Sequence, residues 1–213
     1  MPDRYPVPAA EHRVAAEISR SRFVATLAPA DTVEAAQAFV ARMRREFPDA
    51  THNCWAYLVG PPGSTGRVGM SDDGEPHGTA GRPMLTALLH SGVGDVAAVV
   101  TRYYGGTKLG TGGLVRAYGG CVAGALASLP RAERVEWAGC RVTVGYADVA
   151  AVQQLVPAHE GRFLAETYAA DVTYAVELPA GRLPAFAAAV RDATRGQARV
   201  EPVDPPRGGG RGG

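Results

Sequence analysis

The chain has 213 residues, 46% of them hydrophobic and 20% charged, and its 22 Lys+Arg against 21 Asp+Glu leave a formal charge of +1. That length suits one large domain or two small ones, and the balance excludes a disordered or collagen-like chain. Near-neutrality also argues against a broadly basic nucleic-acid binder, so any anion contact has to be local. Residues 1–132 carry 13 basic and 11 acidic side chains, and residues 133–213 carry 9 and 10. Only one basic residue is a lysine, Lys108, and it lies in a glycine-rich stretch. Cys54, Cys121 and Cys140 form no C-x-x-C pair, which argues against a disulfide framework or a zinc site. The first 20 residues carry Asp3, Glu11 and Glu17 and no continuous apolar core. The most apolar later run, 96–100, is far below the roughly 20 residues of a membrane span. The expectation is a cytoplasmic protein in a reducing compartment, with no membrane contact.

Residues 21–27 (SRFVATL) are rich in β-formers and are followed by Pro29, the pattern of a strand. Asp31 opens D-T-V-E, a capping-box-like start with Glu34 three residues on. Val33, Ala36, Val40, Met43 and Phe47 then recur at three and four, predicting a helix stopped by Pro48. A strand over 53–59 is closed by Gly60-Pro61-Pro62-Gly63, and a short strand is predicted over 67–70. Residues 71–83 (SDDGEPHGTAGRP) read as an ordered loop running into a helix. That helix takes Pro83 in its first turn and buries Met84, Leu85, Leu88 and Leu89. Residues 95–104 (DVAAVVTRYY) are predicted as a central strand because their start is apolar on both faces. A glycine-rich segment follows, then a helix over 113–129 with a stripe of Leu114, Tyr118, Val122, Ala125 and Leu129. Its Gly119, Gly120 and Gly124 would allow close backbone packing.

The pattern changes over 130–136. A strand is predicted over 137–146, a helix capped by Asp148 to residue 156, strands over 161–168 and 171–178, a helix over 183–194 and a strand over 197–203. The order β-α-β-β-α-β is the split βαβ, or ferredoxin-like, arrangement. The fold class is therefore α+β in two domains, 1–132 with its core from about residue 18 and 133–203. The tail 204–213 (DPPRGGGRGG) is expected to be disordered.

Two segments carry chemistry. Residues 102–116 (RYYGGTKLGTGGLVR) lie between a strand and a helix. Glycines let backbone N–H groups approach a ligand, and a helix N-terminus offers unpaired donors. Arg102, Gly105, Gly106, Lys108, Gly110, Gly112, Gly113 and Arg116 are therefore candidates for an anion or nucleic-acid phosphate site. The segment is neither a Walker A loop nor a Rossmann fingerprint, since Val115 stands where a third glycine belongs. Tight turns and close helix packing are the competing explanation for the glycines. The second segment groups Asp72, Asp73, Glu75, His77, Thr79 and Arg82. Its carboxylates and histidine resemble a metal or acid–base cluster, but the spacing is not that of an EF-hand. Loop architecture or a partner-recognition surface is the better fit, with no metal and no cofactor expected. His52 and Cys54 share a strand face at i and i+2, so a Cys–His nucleophile is a further candidate.

The runs S-D-D-G-E-P-H-G-T-A-G-R-P-M-L (71–85) and V-V-T-R-Y-Y-G-G-T-K-L-G-T-G-G-L-V-R-A-Y (99–118) resemble the signature of the IMPACT family, in its bacterial YigZ-type branch. The resemblance extends over about 18–203. It implies an N-terminal domain like the second domain of a small-subunit ribosomal protein and of elongation factor G. The C-terminal domain would be ferredoxin-like, as in the last domain of that factor. Asp72, Asp73, Gly74, Glu75, Thr79, Gly81, Arg102, Tyr103, Tyr104, Gly105, Gly106, Gly110, Gly113 and Arg116 fall on the family pattern. His77 and Lys108 depart from it. Eukaryotic members of the family act in translational control, and for bacterial members nucleic-acid or ribosome binding is inferred from the fold. The expectation is a non-enzymatic factor that binds RNA, the ribosome or a translation-associated protein through the surface of the two loops. A small hydrolase or phosphate-handling enzyme using the acidic loop is one alternative, and a protein scaffold is another. An enzyme needs Asp72, Asp73 and Glu75 convergent in a pocket, whereas a binding module would spread Arg102, Lys108 and Arg116 over an accessible face.

Overall fold

The computed structural model describes residues 4–203, so the expected tail disorder lies outside the described residues. These residues divide into two compact units, Tyr5–Arg134 and a second formed by 135–203 with Arg4. The first unit is built on a five-stranded antiparallel sheet. Its strands are β2 (His12–Ile18), β3 (Ser21–Pro29), β4 (His52–Leu58), β5 (Val68–Ser71) and β6 (Val96–Tyr103), in the order β2-β3-β6-β4-β5. The short β1 (Arg4–Pro8) pairs with β7 (Arg131–Val135).

Strand β6 is central, as its sequence predicts, and alternation explains why. Val96, Ala98 and Val100 pack with Met84 and Leu88 of α2 (Gly81–Leu89) and with Leu114, Tyr118 and Val122 of α3 (Gly110–Ala127). Ala97 and Val99 pack on the other face with Phe39, Val40 and Met43 of α1 (Val33–Glu46). All five strand residues are fully buried. A strand that buries both faces reads as a continuous apolar run, which is what residues 96–100 are.

Three local expectations are corrected. The cap of α1 is Thr32, not Asp31: Thr32 has extended backbone angles, and its hydroxyl oxygen accepts from the Ala35 amide at 3.0 Å. Both residue types can cap, and the position of the first helical turn decides between them. Helix α3 begins at Gly110, three residues before the expected start, so Gly110, Gly112 and Gly113 form its first turn rather than a loop. A side chain on Gly119 would meet Pro83 of α2 at 3.5 Å, whereas Gly120 and Gly124 have nothing within 4 Å and serve no close packing.

The second unit has β8 (Trp137–Val144), α4 (Val149–Ala158), β9 (Arg162–Tyr168), β10 (Val172–Pro179), α5 (Leu183–Ala193) and β11 (Arg199–Val203). Its antiparallel sheet has the order β11-β8-β10-β9. With the strands numbered within the unit this is 4-1-3-2, the split βαβ arrangement. Cys140, Val142 and Val144 of β8 and Val172, Tyr174 and Val176 of β10 form the core with Val152 and Val156 of α4 and Phe186 and Val190 of α5. Asp148 precedes α4 but makes no side-chain cap bond.

The Thr32 cap is testable. Thr32→Ala should lose about 1 kcal/mol of stability in urea unfolding, and Asp31→Ala much less. A loss at Asp31 equal to that at Thr32 would contradict the assignment.

Candidate functional site

The site grows out of strand alternation. Arg102 follows Val96, Ala98 and Val100 at two-residue steps, so it lies on the sheet face that carries α2 and α3. Across the sheet it is in register with Phe23 of β3 and His52 of β4. Its side chain is only 6% exposed, beside a Glu75 side chain that is 3% exposed. Arg102 Nη1 donates to Glu75 Oε1 at 2.6 Å, and Nη2 donates to the Ser21 hydroxyl at 3.3 Å. The same Glu75 oxygen accepts from the Tyr118 hydroxyl of α3 at 2.7 Å, and His52 Nε2 lies 3.9 Å from it. The guanidinium carbon of Arg102 lies 5.4 Å from the ring centre of Phe23 and 5.5 Å from that of Tyr104. One buried ion pair thus joins β3, β6, α3 and the acidic loop.

The acidic loop divides its carboxylates. Asp72 faces α2 and accepts from the amides of Gly78, Ala80 and Gly81 at 2.8, 3.0 and 2.9 Å. Burial works to raise its carboxyl, but the three amide hydrogen bonds together outweigh burial and hold it below the usual value. Asp73 points toward β4 and α1, accepting from the Asn53 amide at 2.7 Å and from Arg44 at 2.5 Å. Thr79 donates its hydroxyl to the Pro76 carbonyl at 2.6 Å. Arg82 and His77 are exposed. The three carboxylates therefore do not converge, and the acidic constellation is not assembled as an acid–base centre. Among the described residues, no group of three or more His, Cys, Asp or Glu is placed to hold a metal ion.

The Cys–His candidate is also corrected. His52 and Cys54 share a face, but His52 Nδ1 lies 2.8 Å from the Asp73 carbonyl and Cys54 donates to the Asp72 carbonyl at 2.9 Å. Burial pushes the Cys54 thiol up to about 12, the reverse of what a nucleophile needs. Both side chains hold the acidic loop against β4.

The glycines split the same way. A Cβ on Gly105 would come within 1.8 Å of the Arg20 carbonyl oxygen, so this glycine serves close backbone approach. Its amide donates to the Ser21 hydroxyl at 3.3 Å, tying the loop to the same oxygen that Arg102 uses. Gly106 and Gly110 take positive φ, at 86° and 69°, conformations that favour glycine. Gly112 has only Arg116 Nη1 near it, at 3.6 Å from a notional Cβ, which places the Arg116 guanidinium beside the first turn of α3. That turn has no side-chain cap and no acidic residue. Lys108 and Arg116 are exposed, and neither side chain has an ion-pair or hydrogen-bond partner among the described residues. Of the three expected cations, then, two lie on the surface, and Arg102 is inside because strand parity put it there.

The two loops meet at a pocket of about 380 Å³ lined by Glu75 and Pro76 from the acidic loop, Arg102, Tyr104, Lys108 and Leu109 before α3, and Gly110, Thr111 and Leu114 from α3. Tyr104 is 47% exposed at this pocket. Tyr104, Pro76, Leu109 and Leu114 are not among the expected site residues; the available signals are the place of Tyr104 on the family pattern and next to an arginine of buried parity. No described helix is long and apolar enough to cross a membrane.

Comparison with known proteins agrees with these motifs. The family model described as the Impact N-terminal domain matches residues 19–126, and a domain of unknown function (DUF1949) matches residues 142–197. "IMPACT family member YigZ" of Escherichia coli is 43% identical over 93% of this chain and 97% of its own length. "IMPACT family member in pol 5'region" of Thermus thermophilus is 42% identical over 86% and 99% of the two chains. A solved crystal structure of a hypothetical protein has a TM-score of 0.68 and 42% identity, covering 96% of this chain and 99% of that one.

Two stability measurements check the site. Arg102→Ala would leave the Glu75 carboxylate buried without its cation and should cost about 3–5 kcal/mol in urea unfolding, while the double variant Arg102→Met/Glu75→Gln should cost clearly less. Equal losses would contradict a buried, charged pair. Asp72 has a lowered folded-state pKa, so its stabilisation is present above the ordinary value of 3.8 and is lost as the pH falls through and below it. Wild type should therefore lose more stability below pH 4 than Asp72→Asn does, and parallel pH profiles would contradict a stabilising role for the three amide hydrogen bonds to the Asp72 carboxylate.

Proposed function

The chain belongs to the IMPACT family, and from that premise we propose that it is a cytoplasmic, translation-associated binding factor. It docks on unpaired RNA, ribosomal RNA foremost, through the joint face of the acidic and glycine loops. The observation that carries this is the rim of the shared pocket. Lys108 and the uncapped start of α3 place positive potential around an exposed tyrosine, with no acidic side chain of α3's first turn to offset it, and Arg116 adds a second unpaired cation beside Gly112 on the same turn. Phosphates are attracted to unpaired cations and helix N-termini, and unstacked bases to exposed aromatic rings. A near-neutral chain with a local patch fits a site-specific contact better than a broad coating of nucleic acid. The hydrolase alternative lacks its geometry, since Asp72 and Asp73 are consumed in holding amides and Arg44.

Ribosome co-sedimentation of wild type beside Lys108→Ala/Arg116→Ala is the test. Arg102 is left intact because its removal would disturb the core. The variant should pellet with ribosomes several-fold less. Wild-type affinity should fall with salt, with a log–log slope near −1.4 if two phosphates of a single strand are neutralised. Equal co-sedimentation of the two proteins, or salt-insensitive binding, would contradict RNA docking through this face and favour a protein partner.

A further inference from the structure

We propose that the pocket between the two loops accepts one unstacked nucleotide whose base carries an exocyclic amino group, adenine, cytosine or guanine. The base enters against Tyr104, Leu109 and Leu114 and donates an amino hydrogen to Glu75. Its phosphate lies against Lys108 and the first amides of α3. This rests on the RNA-docking function and names what that face reads.

The volume of about 380 Å³ falls in the range of roughly 300–1,000 Å³ typical of small-molecule sites. The lining is the combination a nucleotide requires: an exposed aromatic ring, apolar side chains, one buried carboxylate and one free ammonium. The hydrogen-bond inventory points to the polarity of the ligand. Glu75 Oε1 is saturated by Arg102 and Tyr118, while Oε2 takes no hydrogen bond from the described residues. A carboxylate this deeply buried wants a donor on its second oxygen. Arg102 Nε is buried without a partner and out of a ligand's reach, whereas Glu75 Oε2 is not among the buried unpartnered atoms of the described residues and so stays reachable from the pocket that Glu75 lines. Adenine and cytosine each present an amino donor beside a ring-nitrogen acceptor. Hypoxanthine and uracil present a carbonyl oxygen at the amino position, which would face the carboxylate unfavourably. Arg102 cannot serve as the phosphate grip, because its two terminal nitrogens are engaged with Glu75 and Ser21. That role falls to Lys108, the one ammonium on the rim.

Calorimetric titration of the full chain with AMP, IMP, CMP and UMP tests the assignment. AMP should bind at least tenfold more tightly than IMP, and CMP than UMP, the scale of a hydrogen bond to a charged group. Glu75→Gln should abolish both preferences, with thermal unfolding run alongside to check that it folds. Tyr104→Ala changes an exposed side chain and should weaken all four ligands, about tenfold, through lost stacking. Lys108→Ala should weaken AMP but leave adenosine unchanged. Equal affinity for AMP and IMP, or titrations that Tyr104→Ala and Lys108→Ala leave unmoved, would overturn the nucleotide pocket. Absence of mononucleotide binding, with ribosome co-sedimentation still sensitive to Lys108→Ala/Arg116→Ala, would overturn the pocket and leave RNA docking standing. Amino-selective binding without ribosome association would leave the pocket and remove the proposed partner.

Discussion

The ion pair between Arg102 and Glu75 holds the site together. Taking two charges out of water is costly, and their attraction offsets that cost only when geometry and further hydrogen bonds are good. Here Tyr118 adds a donor to the carboxylate, Ser21 accepts from the guanidinium, and Phe23 and Tyr104 lie against its face. A buried pair of this kind is weak as a source of stability and strong as a constraint on position. It fixes the acidic loop against the strand that leads into the glycine loop, 27 residues further along the chain. Without that constraint the two loops would be separate surface features. With it they are two walls of one pocket.

Each loop spends some residues on building the walls and leaves others to face outward. Asp72 gathers the amides that start α2, and Asp73 ties the turn to Asn53 and Arg44. Gly105 lets the glycine loop press on the β2–β3 turn. What remains for a ligand is Glu75 from inside, Tyr104 at the mouth and Lys108 on the rim, with Arg116 exposed beside Gly112. The scarcity of lysine in this chain first draws attention to Lys108. Its value lies in being an unpaired ammonium next to an uncapped helix start, a role that either Arg or Lys could perform.

Much of this architecture is legible in the sequence where periodicity is strong. The two-sided apolar run 96–100 identifies the central strand, the stripe from Leu114 to Leu129 identifies α3, and the alternation of elements after residue 136 yields the βαββαβ unit. Legibility fails where several residues satisfy the same local rule. Asp31 and Thr32 are both good caps, and only the backbone angle of Thr32 separates them. The start of α3 is hidden because its first turn is glycine-rich, so propensity argues against a helix that tertiary packing nonetheless forms. His52 and Cys54 do share a face, yet their bonds go to loop carbonyls that no strand pattern reveals. Arg102 is the instructive case. Its spacing from Val96, Ala98 and Val100 already placed it on a core-facing parity, but a charge at a strand end reads as solvated until its partner is known. The partner, Glu75, is supplied by tertiary structure.

The central claim is that one clasp makes two loops into a single RNA-contacting face. Amide chemical-shift mapping by NMR, with a short single-stranded RNA added to the full chain, tests it most directly. The predicted result is a contiguous set of shifted amides at residues 74–79 and 104–112. Shifts confined to residues 137–203, with those two segments unmoved, would contradict it.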